Sequence, residues 1–376
     1  GPASSVIDSG TGLVVAYIFD GTNWSQLGQE ITGEYGETAG TQIDMNSAGD
    51  RIVIGFPGAV PGGSIPLTND PGVTRVYEYN GANWIQLGQD ITMGNLSDNL
   101  GNSVSMDQSG NVVALSVFGT PSSTGSANPN QVMAYEWDGT SWNQKGNSII
   151  EGVGTFGGGS MTRGCELSGD GNRIAVSMRW PIGINIPQGI WCCAGGDQGA
   201  VNVYEYDGVN WMQLGNEIYV DEPDPNTTDD DSFGLSYGRT GEAMSFNEDG
   251  TILAIGAGQL GGSGNGTDGY VNVYQIDSQS NWALLGNTIL PSYTATSFAS
   301  SLNSYFGASV SINNNGSRLV VGQPYVDNGN GTLAGRANLY EFLNGSWVES
   351  SNTVIGNGYT TTGWSVSISG NGNNFI

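Results

Sequence analysis

Apolar and polar positions alternate along short runs of this chain, and each run stops at a cluster of Gly, Asn, Asp or Ser. The stretch VNVYEYDGVNWMQLGNEI (201–218) shows the pattern: Val201–Tyr206 is β-prone, Asp207-Gly208 is a turn, and Trp211 opens a second run. Alternation with a period of two, broken by a tight turn, predicts an antiparallel hairpin. Nearly the same words stand at 74–91 (TRVYEYNGANWIQLGQDI) and 131–149 (QVMAYEWDGTSWNQKGNSI). Counted by its tryptophan, the phrase occurs six times, at Trp24, Trp84, Trp142, Trp211, Trp282 and Trp347.

A second phrase fills the intervals. It is clearest as FGASVSINNNGSRLVVGQP (306–324): a Gly, a strand of small and apolar residues, a polar turn ending in Gly, then an apolar strand. Six copies begin at Gly40, Gly101, Gly164, Gly241, Gly307 and Gly363. Two hairpins per unit make four antiparallel strands, A to D, in roughly 57–77 residues, the signature of a β-propeller. No unit carries a helical period, which excludes helical solenoids.

The expected fold is therefore all-β, one six-bladed propeller domain over 1–376. Its blades fall near 40–91, 101–149, 164–218, 241–289 and 307–355, with the sixth assembled from 363–376 plus 3–31. Such sharing would close the ring without a free sheet edge and bring the termini together. The recurring Trp and Tyr residues read as packing between blades. Turns A–B and C–D are short in every copy, whereas the B–C and D–A connections are long and dissimilar, the longest being 219–240. By strand parity the long ones share one face, where a repeat protein is expected to bind.

Charge narrows the partners. The chain has 35 acids, eight Arg, only Lys145 and no His, a formal charge of −26. A surface this negative disfavours nucleic acid and anionic membranes and favours cations, although acids also simply keep a protein soluble. No run approaches a membrane-spanning helix. Without His there is no Ser-His-Asp triad, Cys-His pair or HExxH site, and no P-loop follows a strand, so the chain is expected not to be an enzyme. The alternative kept open is carboxylate-pair chemistry on a glycoside.

Three groups of residues stand out. The loop YVDEPDPNTTDDDSFG carries Asp221, Glu222, Asp224, Asp229, Asp230 and Asp231, oxygen ligands suited to Ca²⁺, or else a solvated acidic loop. The connection 179–199 is unusually apolar; its Trp180 and Trp191, with Asp197 and with Asp327 from another connection, are the candidates for a ligand-binding face. Cys192 and Cys193 suit a vicinal disulfide, or either pairs with Cys165, in an oxidising compartment.

The units resemble FG-GAP repeats, the blades of the integrin α-subunit propeller. Phe306-Gly307 with Ser309-Val310 matches the "FG…S" half, and Gly322-Gln323-Pro324 and Gly55-Phe56-Pro57 stand where the family has Gly-Ala-Pro. The "VRVYEY…W…G…I" phrasing is closest to secreted or surface tandem arrays of marine microbes and large viruses. The resemblance implies an extracellular module, secreted or on a cell or virion surface, for adhesion or recognition of a protein or glycan. It departs in blade count, seven against six here, and in the acidic A–B loops that hold calcium in integrins. Here those turns are short and poor in acids, which leaves 219–231 as the place for calcium. A monomer is expected; the competing reading, a subunit of a surface filament or virion spike, requires self-association.

Overall fold

The computed structural model describes residues 10–34, 36–57, 72–93, 100–117, 131–150, 161–179, 199–219, 243–257, 269–292, 304–326, 333–358 and 360–376. Among them every regular element is a strand, and none is a helix long and apolar enough to cross a membrane. The chain divides into two compact units, residues 1–151 and 152–376.

The first unit opens with four short strands, β1 (Leu13–Val14), β2 (Tyr17–Phe19), β3 (Trp24–Gln26) and β4 (Ile31–Thr32). One four-stranded antiparallel sheet follows as β5 (Ile43–Met45), β6 (Arg51–Phe56), β7 (Val73–Tyr79) and β8 (Trp84–Gln86). Another comprises β9 (Val104–Met106), β10 (Val112–Val117), β11 (Gln131–Trp137) and β12 (Trp142–Ile150). The second strand of each sheet is apolar along its length because both its faces are covered. One core cluster joins Val14, Ala16 and Ile31 to Ile52, Ile54, Phe56 and Trp84, and the next joins Val53 and Val76 to Val113, Leu115 and Trp142.

The second unit repeats the scheme. Strands β13 (Met161–Leu167), β14 (Arg173–Arg179), β15 (Gly199–Tyr206), β16 (Trp211–Gln213) and β17 (Ile218–Tyr219) form one sheet. Strands β18 (Met244–Phe246), β19 (Ile252–Ala257), β20 (Tyr270–Ile276) and β21 (Trp282–Leu284) form the second. Strands β22 (Val310–Ile312), β23 (Arg318–Gln323), β24 (Arg336–Leu343) and β25 (Ser346–Ile355) form the third. Core clusters again lie between consecutive sheets.

Two turn devices explain the spelling of the repeat. In all six A–B turns a short polar side chain accepts the N–H five residues on: Asn46, Asp107, Ser168, Asn247, Asn313 and Ser369. The Gly of that turn, from Gly49 to Gly372, takes a positive φ that L-residues resist. The C–D turns use Asp or Asn the same way: Asp20, Asn80, Asp138 and Asp207 each accept N–H groups two and three residues on. These bonds favour the charged form and hold the Asp20, Asp138 and Asp207 carboxyls below their usual range; at Asp138 the Thr140 hydroxyl contributes most.

The Leu-Gly pair of the hairpin phrase bends the last strand and fastens it to the next sheet. The N–H groups of Leu27, Leu87, Leu214 and Leu285 bond back to Ala16, Val76, Val203 and Val273 of the neighbouring strand, at 2.7–2.8 Å. Their carbonyls face the other way and accept the indole Nε1–H of the following tryptophan, Trp84, Trp142, Trp282 and Trp347, at 2.8–3.0 Å. Two residues beyond each Leu, the carboxamide of Gln29, Gln89, Asn216 or Asn287 accepts that tryptophan's backbone N–H. The phrase is thus a donor on one sheet and its acceptor on the sheet before. The expectation that it serves packing between repeats is met by directional bonds as well as by apolar contact.

The count differs from expectation: among the described residues there are seven sheets, five with four or more strands and two with two, not six four-stranded ones. The two-stranded sheets β1–β4 and β2–β3 are the halves of one hairpin, interrupted at the bend where Leu27 bonds Ala16. Residues 363–376 form a turn with a single bridge, Ile368 to Phe375. The two segments expected to share the sixth sheet fall in different units, 3–31 in the first and 363–376 in the second.

Candidate functional site

Most of the predicted site falls outside the described residues: Trp180, Trp191, Asp197, Asp327, the acidic set from Asp221 to Asp231, and Cys192 with Cys193. Cys165 is described and lies buried in β13. Among the described residues no group of three or more Cys, Asp or Glu side chains is arranged to hold a metal ion.

What the described residues bring together, at the loop end of the second unit, is aromatic. Gly322 and Gly363 approach so closely that a Cβ on Gly322 would run into the Gly363 carbonyl oxygen. That contact brings Trp364 up to the connection after β23. Phe306, fully buried, anchors the connection before β22, and Tyr325 N–H donates to the Ser304 carbonyl at 3.2 Å. Three rings from three separate connections therefore converge. Tyr305 and Tyr325 lie 4.9 Å apart between ring centroids at 61°, and Tyr325 and Trp364 5.7 Å apart at 88°.

The edge-to-face geometry suits the ring quadrupoles and leaves ring faces available, with Trp364 39% exposed. Tyr305 sits at φ 56°, left-handed for a bulky residue, a conformation that costs on the order of 1 kcal/mol and clusters at functional sites. Burial and the adjoining Tyr325 push its phenol above the usual range, so it stays neutral and presents an O–H. The arrangement can stack flat, weakly polar CH surfaces and hydrogen-bond at its rim. The sequence reading missed all three residues because they belong to no single motif. A signal was present: Tyr305 directly precedes Phe306-Gly307, Tyr325 directly follows Pro324, and Trp364 directly follows a leading Gly.

Two charged groups occupy the first unit. Arg75 binds Glu37 through both terminal nitrogens (3.0 and 3.1 Å) and Asp90 at 3.0 Å, with its guanidinium 4.5 Å over Phe56. Burial opposes the Arg75 charge, but the two carboxylates outweigh it and hold the group protonated. Asp44, on β5, accepts N–H groups from Met45 and, on the next sheet, Met106, both at 2.7 Å. Burial, helped by the charge of Asp107, pushes its pKa up to about 6 against those bonds. Both groups read as parts of the scaffold.

No family model matches the chain and no curated relative does, so the FG-GAP resemblance stands on its motif residues alone. Two solved structures are similar to the chain over most of its length. One is described as "a putative 6-phosphogluconolactonase from Bacteroides uniformis", 9% identical, TM-score 0.40, covering 92% of this chain and 97% of that one. Another is that of U3-55K, 9% identical, TM-score 0.49, covering 93% of this chain and 77% of that one. At these identities and TM-scores neither structure transfers architecture, activity or residues. The expectation that the chain is not an enzyme is nevertheless withdrawn: one of these structures carries an enzyme's description, which assigns nothing to this chain, and missing His excludes particular mechanisms, not catalysis.

Proposed function

We propose that this chain is an extracellular recognition module of six propeller-type repeats that binds a glycan at its loop end, with Tyr305, Tyr325 and Trp364 as the contact surface. The carrying observation is the convergence of three aromatic rings from three connections around a strained Tyr305. Pyranose rings stack their CH faces on aromatic side chains, and two phenols and an indole at one edge supply the polar handles such ligands need. The sixfold A–B turn with one capping bond supports six repeat units. A net charge of −26 argues for neutral or cationic ligands over polyanions.

The test is a glycan array probed with the wild-type chain, followed by titration of any hit against Trp364→Ala and Tyr325→Ala. Loss of ten-fold or more in affinity by both variants, with unchanged far-ultraviolet dichroism, supports the reading. An array without hits, or hits that bind the variants equally well, overturns it.

A further inference from the structure

The third strand of each sheet in the second unit carries an asparagine two residues before a tyrosine: Asn202 and Tyr204 on β15, Asn272 and Tyr274 on β20, Asn338 and Tyr340 on β24. Side chains two apart on a strand share a face, and all three asparagines are buried. On β24 that face belongs to the core cluster formed with β19 and β20.

A buried amide has to satisfy its oxygen as well as its nitrogen, and the three copies differ in how they do so. Opposite Tyr204 on the fourth strand stands Gln213, whose Nε2–H donates to the Asn202 Oδ1 at 3.2 Å. Opposite Tyr274 stands Leu284, and opposite Tyr340 stands Glu349. Leucine has no donor, and a carboxylate only accepts. The Oδ1 atoms of Asn272 and Asn338 accordingly have no hydrogen-bond partner among the described residues.

The last sheet differs again at the end of β23, where Gln323 stands in the place of Ala257 on β19. Asn272 Nδ2 donates to the Tyr274 hydroxyl at 3.3 Å, whereas Asn338 Nδ2 is directed at the Gln323 Oε1 at 3.5 Å. Tyr340 loses that neighbour, and its hydroxyl has no partner among the described residues although the side chain is only 3% exposed. Nor can the phenol swing out to water, for its ring packs edge-on against fully buried Phe306, centroids 6.2 Å apart at 80°. A buried acceptor and a buried hydroxyl thus occupy successive same-face positions of one strand.

We propose that this pair is a binding site for one internal water molecule between the sheet of β18–β21 and the sheet of β22–β25. The water accepts from the Tyr340 O–H and donates to the Asn338 Oδ1, a combination of lone pair and O–H that one molecule supplies. The Glu349 carboxylate, on the strand opposite, is the acceptor for its second O–H. The water does for Asn338 what the Gln213 amide does for Asn202.

Crystallography of the whole chain with ordered solvent resolved, joined to thermal unfolding of three variants, tests this. Density for one water within hydrogen-bonding distance of both atoms is expected. Glu349→Gln copies the Gln213 donor and should displace the water; Glu349→Leu copies Leu284, removing the same charge without adding a donor. The Gln variant is expected to unfold at the higher temperature of the two. Tyr340→Phe should lower the unfolding temperature of the wild type by about 2–4 °C, since the water then loses its donor. A closed, dry interval, a cation in place of the water, or a Tyr340→Phe chain as stable as the wild type overturns the proposal. So do equal unfolding temperatures for the two Glu349 variants.

Discussion

Trp84 and Leu27 lie 57 residues apart in the chain, and the indole Nε1–H of the first donates to the carbonyl of the second at 2.8 Å, fastening one sheet to the next. The bond is shielded, for Trp84 is nearly fully buried, and the Gln29 carboxamide clasps the same residue through both its backbone groups. Replacing Trp84 by Phe removes the donor and leaves the Leu27 carbonyl without it. A destabilisation of about 1–2 kcal/mol is expected for that loss, against about 3–5 kcal/mol for Trp84→Ala, which also empties the space between sheets. Urea unfolding of the two variants measures the difference. Equal costs would mean that the bond contributes nothing beyond packing.

Gly55 has an ordinary negative-φ backbone, yet a Cβ there would collide with the Gly101 carbonyl oxygen, and backbone cannot move aside. Gly81 has φ 94° and open space around its missing Cβ. Gly55→Ala should therefore cost more than the roughly 1–3 kcal/mol of ordinary overpacking, and Gly81→Ala only about 1 kcal/mol of backbone strain. Thermal unfolding of both variants gives the order; a reversed order contradicts the close approach.

Asp44 predicts an unusual pH dependence. Its pKa in the folded chain, about 6, lies above the ordinary 3.8, so the folded state holds the proton more tightly than the unfolded one. The stabilisation is complete below pH 3.8 and disappears as pH rises through about 6. Asp44 accepts through both oxygens, which an Asn could not do, so the informative variant is Asp44→Ala: the wild type should lose about 1–3 kcal/mol between pH 4 and pH 7 that the variant does not. Chemical unfolding at both pH values tests the sign.

Arg75→Met strands Glu37, only 4% exposed, without its partner. A loss of about 3–5 kcal/mol is expected, mostly recovered when Glu37→Gln is added, because the cost lies in the uncompensated buried charge. A double-mutant cycle measures the coupling, and simple additivity of the two changes would remove the charge argument.

The alternating runs and Gly-ended turns of the sequence announce the hairpins, since period-two burial and positive φ are local properties. Arg51, Arg173 and Arg318 illustrate what is not local: each pairs with a glutamate of its own sheet and also donates to the turn carbonyl of the next, Gly110, Gly250 and Gly372. Only the folded chain shows the second partner. The same holds for the sixth sheet expected of the joined tails: a pairing of 363–376 with 3–31 is a long-range meeting of two units that no local pattern encodes. The aromatic cluster was hidden for a related reason: Tyr305, Tyr325 and Trp364 each abut the second phrase at a different point, and only the fold brings the three together. The expectation that aromatics belong to packing holds for Trp84 and its equivalents, while Trp364 stands outside the phrase.

The fastening of indole to carbonyl asks almost nothing of the unit that receives it beyond a bent strand and one carboxamide, which Gln and Asn supply interchangeably here. Each unit can therefore succeed any other without refitting the joint. A chain carrying one further copy of such a unit would offer the same indole and the same carbonyl at its added seam.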